Sequence, residues 1–170
     1  SIPTEVLAAS SRLKVISRNG VGVDNIDIEA AKNLGIEIKI AAGANSQGVA
    51  ELALALMLAS LRSIPWTDTA LKQGCWERRK GLEARGRVLG VVGCGQIGRR
   101  LIKMALGIGM VVRGYDIYPD ASFMPRGDFE YISWDDLLTE ADVLSFHCPP
   151  AEEPIIDAET LSRLKDSVYL

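Results

Sequence analysis

Short apolar segments alternate with helical patterns along the second half of the chain. Residues 88–92 are apolar and mostly β-branched, as expected of a strand buried on both faces. A helical pattern from Ile97 to Ala105 and a second apolar strand over 111–115 follow. The alternation continues with a strand ending at Ile132, a helix capped by Ser133, a strand over 142–147, a helix from the cap Asp157 to Lys165, and a strand that begins at Val168. Strands that alternate with helices predict an α/β fold with a parallel sheet covered on both faces.

The first part of the chain carries a shorter version of this pattern. A strand is predicted over 13–17, a short helix capped by Asp27 over 28–34, and a strand with one wet face over 36–40. Residues 41–46 are mostly small and form a connector. This connector is the first candidate domain boundary.

A strongly apolar helix is predicted from about Gln47 to Arg62, ending before Pro65. It is apolar nearly all round, so we expect it to be buried between layers or against another subunit. A further helix is predicted over 66–74, followed by a polar loop over 75–86.

Three glycines between the strand at 88–92 and the following helix have the pattern G-x-G-x-x-G. In a dinucleotide-binding turn, Gly93 permits the tight strand-to-helix turn and Gly95 lets the backbone approach a pyrophosphate. Gly98 lets the helix pack closely on the strand. The N–H groups around Gln96 and Ile97, at the positive end of the helix dipole, then face the phosphates.

The acid at the end of the second strand extends this hypothesis to the adenosine ribose. Asp116 would accept hydrogen bonds from the ribose hydroxyls, and its charge would repel a 2′-phosphate, which favours NAD over NADP. Arg113 lies nearby in sequence and leaves that preference open. A plain βαβ turn without a ligand is the alternative for the glycine motif alone, but strand, helix and acid together predict a cofactor site.

Composition narrows the remaining function classes. The 170 residues are 48% hydrophobic with a net charge of −3, so no basic field attracts nucleic acid. The longest apolar run, from Leu52 to Leu61, is about half as long as a bilayer span requires. The three cysteines have no metal-ligand spacing and cannot all pair, which favours a reduced, cytoplasmic setting without a metal site. Cys94 lies inside the glycine turn, either as a small apolar filler or as an oxidation-sensitive thiol.

Several motifs occur together in one order along the chain. They are Arg18-x-Gly20-x-Gly22-x-Asp24-Asn25-x-Asp27, Val49-Ala50-Glu51, Gly74-x-Trp76, the glycine turn with Gln96-Ile97-Gly98, Gly114-Tyr115-Asp116, and His147-x-Pro149. In this combination the sequence resembles the D-isomer-specific 2-hydroxyacid dehydrogenases, and most closely their D-3-phosphoglycerate dehydrogenase branch.

The resemblance implies a division into two lobes. Residues 1–45 would be part of a flavodoxin-like substrate-binding lobe. Residues 46–170 would form the N-terminal part of an NAD-binding Rossmann lobe, a doubly wound parallel sheet that is incomplete at its C-terminal end. The helix over about 47–62 would be the interlobe helix through which a homodimer forms.

The resemblance also implies roles for individual residues. The backbone N–H groups of Val21 and Gly22 would bind the carboxylate of a small 2-hydroxy or 2-oxo acid. Arg18 would contact the phosphate or carboxylate of the substrate, with a surface salt bridge as the alternative. The loop His147-Cys148-Pro149 would border the cofactor, and we do not expect His147 to be the general base, since no carboxylate partner is evident.

Hydride transfer between a nicotinamide cofactor and a D-2-hydroxy acid is the chemistry that the resemblance implies. The catalytic arginine, glutamate and histidine of the family would lie beyond residue 170. We therefore expect this chain alone to be inactive and to represent a truncated dehydrogenase. The alternatives are a non-catalytic, NAD-binding sensor or corepressor-like interaction module, and a different Rossmann class such as a hydroxyisobutyrate-type enzyme.

Overall fold

The computed structural model describes residues 1–20, 22–151 and 153–170. The chain forms two compact units, Ser1–Gln47 and Gly48–Leu170. The boundary lies in the first turn of a long helix.

The first unit is a small α/β layer. It contains α1 (Thr4–Ala8), β1 (Val15–Arg18), α2 (Ile28–Asn33) and β2 (Glu37–Ile40), and the two strands pair in parallel. The predicted cap is confirmed, because the Asp27 side chain accepts the Ala30 N–H at 2.9 Å.

The second unit contains a four-stranded parallel sheet in the order β5-β4-β3-β6. Its strands are β3 (Val88–Val92), β4 (Val111–Tyr115), β5 (Phe129–Tyr131) and β6 (Val143–Phe146). Its helices are α3 (Ser46–Leu61), α4 (Ile64–Lys72), α5 (Gln96–Gly107), α6 (Trp134–Glu140) and α7 (Ala158–Arg163). Because β3 lies between β4 and β6, the chain reverses its direction of winding beside β3, which is where open α/β sheets bind ligands.

Helices cover both faces of this sheet, as the sequence predicts. On one face, α5 buries Leu101, Ile102 and Ala105 in one core with residues of α3, β3 and β4. On the other face, α6 buries Leu137 and Leu138 in a second core. The α/β fold with a parallel, Rossmann-type sheet is thereby confirmed.

The helix α3 differs from its prediction. It buries Ala50, Met57 and Leu61, but Leu52 and Leu56 lie one turn apart and are 58% and 59% exposed. The expectation of burial between layers is therefore wrong for the described residues. A helix on the outer side of a sheet presents only one face to the core, whatever the composition of its other face.

The strand predicted from Val168 is represented by one parallel bridge between Tyr169 and Val143. The Leu144 N–H donates to the Tyr169 carbonyl at 2.8 Å.

Within the described ranges, no single helix is long and apolar enough to cross a membrane. Only α3 and α4 taken together, across a 64° bend, reach that length and composition.

Candidate nucleotide site

The turn between β3 and α5 requires glycine at its first position. Gly93 has φ +88°, which L side chains rarely adopt. A Cβ atom at this residue would also lie 2.6 Å from the backbone nitrogen of Cys148, just after β6. The sequence predicts the tight turn, whereas the approach of residue 148 becomes visible only in the folded sheet.

The other two glycines of the motif differ sharply in their surroundings. A Cβ atom at Gly98 would lie 2.2 Å from the Gly93 carbonyl oxygen, so glycine allows α5 to pack against the turn. A Cβ atom at Gly95 would meet nothing within 4 Å. Gly95 is also the N-cap of α5 and supplies no side-chain cap. The positive end of the helix therefore opens onto unfilled space, which suits an anionic diphosphate.

Asp116 follows β4 and is fixed by two backbone donors. One carboxylate oxygen accepts the Cys94 N–H at 2.7 Å, and the other accepts the Tyr118 N–H at 2.9 Å. A carboxylate has about four acceptor positions, so each oxygen retains capacity for a ribose hydroxyl. The same side chain thus joins the glycine turn to the end of β4.

Arg113 is directed to other partners. Its Nη1 atom lies 2.8 Å from Asp128 Oδ1, its Nε atom lies 3.4 Å from Glu140 Oε2, and its side chain is 17% exposed. The hydrogen bond that Arg113 donates to the Asp128 carboxylate raises the pKa of the guanidinium. Two carboxylates therefore neutralise the guanidinium, which removes the reason for expecting it to bind a 2′-phosphate.

His147 directly follows β6. Its Nε2 atom lies 2.9 Å from the Ser145 hydroxyl oxygen. Burial lowers the pKa of the imidazole, which keeps the ring neutral near pH 7. No ion pair with a carboxylate is present for it among the described residues. The Ser145 hydroxyl therefore holds the imidazole ring in place. The described residues do not give His147 the carboxylate partner that is typical of a general base.

A cavity of about 580 Å³ lies over the carboxyl ends of the central strands, within the usual range for small-molecule sites. It brings together six of the predicted cofactor residues: Gly93, Gly95, Asp116, His147, Cys148 and Pro149. Its other lining residues are mostly apolar: Val92, Tyr115, Ile117, Tyr118, Pro150, Ala151 and Ile155.

The remaining predicted cofactor residues have different surroundings. Ile97 packs against the core with its side chain, and Gln96 is exposed in the first turn of α5. Their roles toward a ligand stay predictions that concern the backbone of this turn.

The cysteine of the glycine turn is a packing residue. Cys94 is 2% exposed, and burial followed by the charge of Asp116 raises its pKa to about 12. Since the thiolate is the reactive form, the Cys94 thiol has low reactivity at neutral pH. The prediction of a small apolar filler is confirmed by this environment.

The predicted substrate residues lie in the first unit. Arg18 donates from Nε to the Gly22 carbonyl at 3.0 Å, and the described residues contain no ion pair to it. Val21 lies outside the described residues. The substrate contacts of all three remain predictions.

Comparison with known proteins assigns the family. The model of the family described as D-isomer specific 2-hydroxyacid dehydrogenase, NAD binding domain, matches residues 54–170. The chain belongs to this family. Its glycine turn and Asp116 lie within the matched NAD-binding domain, and NAD is the cofactor of that domain.

Relatives of this dehydrogenase family cover the chain almost completely. The sequence is 39% identical to hydroxypyruvate reductase of Thermotoga maritima, over 99% of this chain and 56% of the relative. It is 40% identical to D-3-phosphoglycerate dehydrogenase of Archaeoglobus fulgidus, over 99% of this chain and 33% of the relative. The chain therefore spans a third to about half of the length of these proteins.

Solved structures agree with this fold. D-lactate dehydrogenase from Aquifex aeolicus, complexed with NAD and lactic acid, superimposes with a TM-score of 0.79 at 32% identity, over 97% of this chain and 51% of that one. The named relatives are enzymes, so the alternative of a non-catalytic sensor is not favoured.

Sequence reasoning missed one charged residue of the site. Arg99 directly follows the third glycine, and its side chain contacts both the glycine turn and the segment after Asp116. The only signal in the sequence is its position next to the motif, because its partner Asp120 lies beyond β4.

Proposed function

We propose that the protein is an NAD-dependent oxidoreductase that transfers a hydride between the nicotinamide and a small D-2-hydroxy or 2-oxo acid. One observation carries this proposal: a single cavity joins the open space at Gly95 to the fixed carboxylate of Asp116. Those two features match the diphosphate and the ribose of one dinucleotide. When bound, NAD supplies the hydride acceptor or donor.

The residues of the second unit hold and orient the cofactor in this proposal. The N-terminus of α5 binds the diphosphate, and Asp116 accepts the ribose hydroxyls. Ile117, Tyr118 and Pro149 provide apolar walls that exclude water from the adenosine side. His147 contributes through its position at the rim of the cavity and not as a proton carrier.

The first unit would bind the acid end of the substrate. The Nε atom of Arg18 is used by the Gly22 carbonyl, which orients the guanidinium plane. Its terminal nitrogens have no ion-pair partner among the described residues, and this fork suits a carboxylate or a phosphate. The backbone N–H of Gly22 is proposed as a second donor. A 3-phosphoglycerate-like acid suits these two donors, because it carries both a carboxylate and a phosphate.

Steady-state assays of the full-length protein test both the reaction and the cofactor. We expect turnover of at least one acid among D-phosphoglycerate, D-glycerate, D-lactate and glyoxylate, with NAD(H) preferred over NADP(H). In Asp116→Ala the ratio of kcat/KM for NAD to that for NADP should fall at least about tenfold, because charge-assisted hydrogen bonds to the ribose are lost. The ratio is the useful quantity, since a loosened glycine turn affects both cofactors equally.

The matched control is Asp68→Ala, which removes an exposed acid that pairs with Lys72 on α4. It should leave the cofactor ratio at the wild-type value. Unchanged selectivity in Asp116→Ala would contradict the ribose assignment. A full-length protein that binds NAD yet turns over none of these acids would contradict the proposed reaction class.

We further propose that the protein is a cytoplasmic homodimer that associates through α3. Leu52 and Leu56 form an exposed apolar stripe on this helix, and the three cysteines are all free. Sedimentation equilibrium should show a dimer for the wild type and a monomer for Leu56→Glu. Leu161→Glu places the same change on an exposed leucine of α7 and should remain dimeric. A wild-type monomer would contradict the proposal.

A further inference from the structure

Arg99 connects two segments that are distant in the sequence. Its Nε atom donates to the Cys94 carbonyl at 2.8 Å, inside the glycine turn. Its Nη2 atom lies 2.9 Å from Asp120 Oδ2, in the connection between β4 and β5. The guanidinium also lies over the Phe123 ring, 5.0 Å from its centroid. The side chain thus makes three contacts within the second unit, through Nε, through Nη2 and through the face of its guanidinium.

The backbone of Cys94 is consequently held at both its N–H and its carbonyl group. Asp116 accepts its N–H at 2.7 Å, while Arg99 donates to its carbonyl. The residue between the first two glycines of the motif therefore cannot rotate freely. Glycine on each side would otherwise allow many backbone conformations.

The partner of Arg99 is itself well fixed. Asp120 accepts the Ser122 hydroxyl at 2.6 Å and the Ser122 N–H at 2.9 Å, and these bonds lower the pKa of the carboxyl group. Phe123 packs edge-on against Phe129 of β5, with the ring centroids 5.4 Å apart. Arg99 therefore contacts an anchored segment.

We propose that Arg99 is a positioning residue for the cofactor, which holds the Cys94 carbonyl so that the Gly93–Gly95 turn is preformed for the diphosphate. Asp120 holds Arg99 in turn, so the segment that follows the ribose-binding acid also sets the shape of the phosphate turn. Preorganisation of this kind raises affinity because less backbone freedom is lost on binding. The inference rests on the assignment of the cavity to NAD.

The geometry also explains why lysine would be a poor replacement. One contact uses Nε and the other uses Nη2, and the planar group stacks on an aromatic ring. An ammonium group is a compact point charge and cannot reproduce both directions and the stacking.

Binding of NAD to the full-length protein, measured by calorimetry, tests the proposal in four variants. Arg99→Met should raise the dissociation constant roughly fivefold to tenfold, as expected for loss of a charge-assisted hydrogen bond at a half-exposed position. Asp120→Asn, which keeps an acceptor for Ser122, should give a smaller rise. The double variant should match Arg99→Met, because Asp120 acts through Arg99. Arg99→Lys should recover only part of the affinity.

Arg100→Met is the matched control. Arg100 is the next residue of α5, and its Nη1 atom bonds to the Gln96 carbonyl of its own helix at 3.0 Å. It carries the same charge but does not contact the Cys94 carbonyl. Its dissociation constant for NAD should stay within twofold of wild type, which separates positioning from loss of one positive charge.

A second measurement reports on the turn without cofactor. The hydrogen-exchange rate of the Cys94 amide in the cofactor-free protein should rise in Arg99→Met and in Asp120→Asn but not in Arg100→Met, because this N–H is held by Asp116 only in the ordered turn. Wild-type affinity in Arg99→Met, or additive losses in the double variant, would overturn the proposal. If NAD does not occupy this cavity, either the wild type fails the same titration or Gly95→Val retains wild-type affinity, so the two failures are distinguishable.

Discussion

Gly95→Val should abolish NAD binding while leaving the fold intact. The structure leaves open space where a Cβ atom would stand at this residue, and the backbone has φ −76°, which valine tolerates. The added Cβ atom therefore has no protein atom within 4 Å. The methyl groups would instead fill the volume in which the diphosphate approaches the N-terminus of α5. We expect the dissociation constant for NAD to rise more than about a hundredfold, the order expected when several charge-assisted hydrogen bonds are lost.

Gly107→Val provides the control for this prediction. Gly107 ends the same helix, and a Cβ atom there also meets nothing within 4 Å, but the residue lies at the opposite end from the cavity. Both variants should unfold at a denaturant concentration near that of the wild type, and only Gly95→Val should lose NAD in calorimetric titration. Retained affinity in Gly95→Val would mean that the diphosphate lies elsewhere.

The unit from β3 to β4 could be predicted from the sequence because its signals are local. The apolar run at 88–92, the three glycines and the acid at 116 follow one another within a single βαβ segment. Each element is defined by the spacing of neighbouring residues, so periodicity and turn chemistry were sufficient. The caps Asp27, Ser133 and Asp157 were predictable for the same reason, and all three accept a backbone N–H in the structure.

The contacts that complete the site could not be read in this way. Arg99 pairs with Asp120 and Arg113 pairs with Asp128, and both acids lie in the connection between β4 and β5. Which carboxylate each arginine pairs with, and whether its side chain also reaches the glycine turn, depends on the order of the strands and the face of the helix. Composition likewise could not show that α3 exposes Leu52, because burial depends on what packs against a helix.

Gly98→Ala should lower the stability far more than Gly107→Ala, although both substitutions add one methyl group to α5. Its Cβ atom would lie 2.2 Å from the Gly93 carbonyl oxygen and 3.3 Å from Val91 Cγ1. The Gly93 carbonyl is part of the backbone and cannot rotate aside as a flexible side chain can, so the helix α5 must move outward. That movement would separate Leu101 and Ile102, which are 1% and 0% exposed, from the sheet. We expect the free energy of unfolding to fall by about 3 kcal/mol, the upper part of the range for overpacking.

Denaturant unfolding of Gly98→Ala and Gly107→Ala in the full-length protein checks this prediction. The two substitutions add the same methyl group to the same helix, and alanine favours a helix over glycine by up to about 1 kcal/mol. Gly107→Ala should therefore unfold at the same or a slightly higher denaturant concentration than wild type. Similar stabilities for the two variants would show that α5 does not pack against the turn through Gly98. A selective loss in Gly98→Ala, together with the selective loss of NAD binding in Gly95→Val, would separate the glycine that shapes the turn from the glycine that admits the ligand.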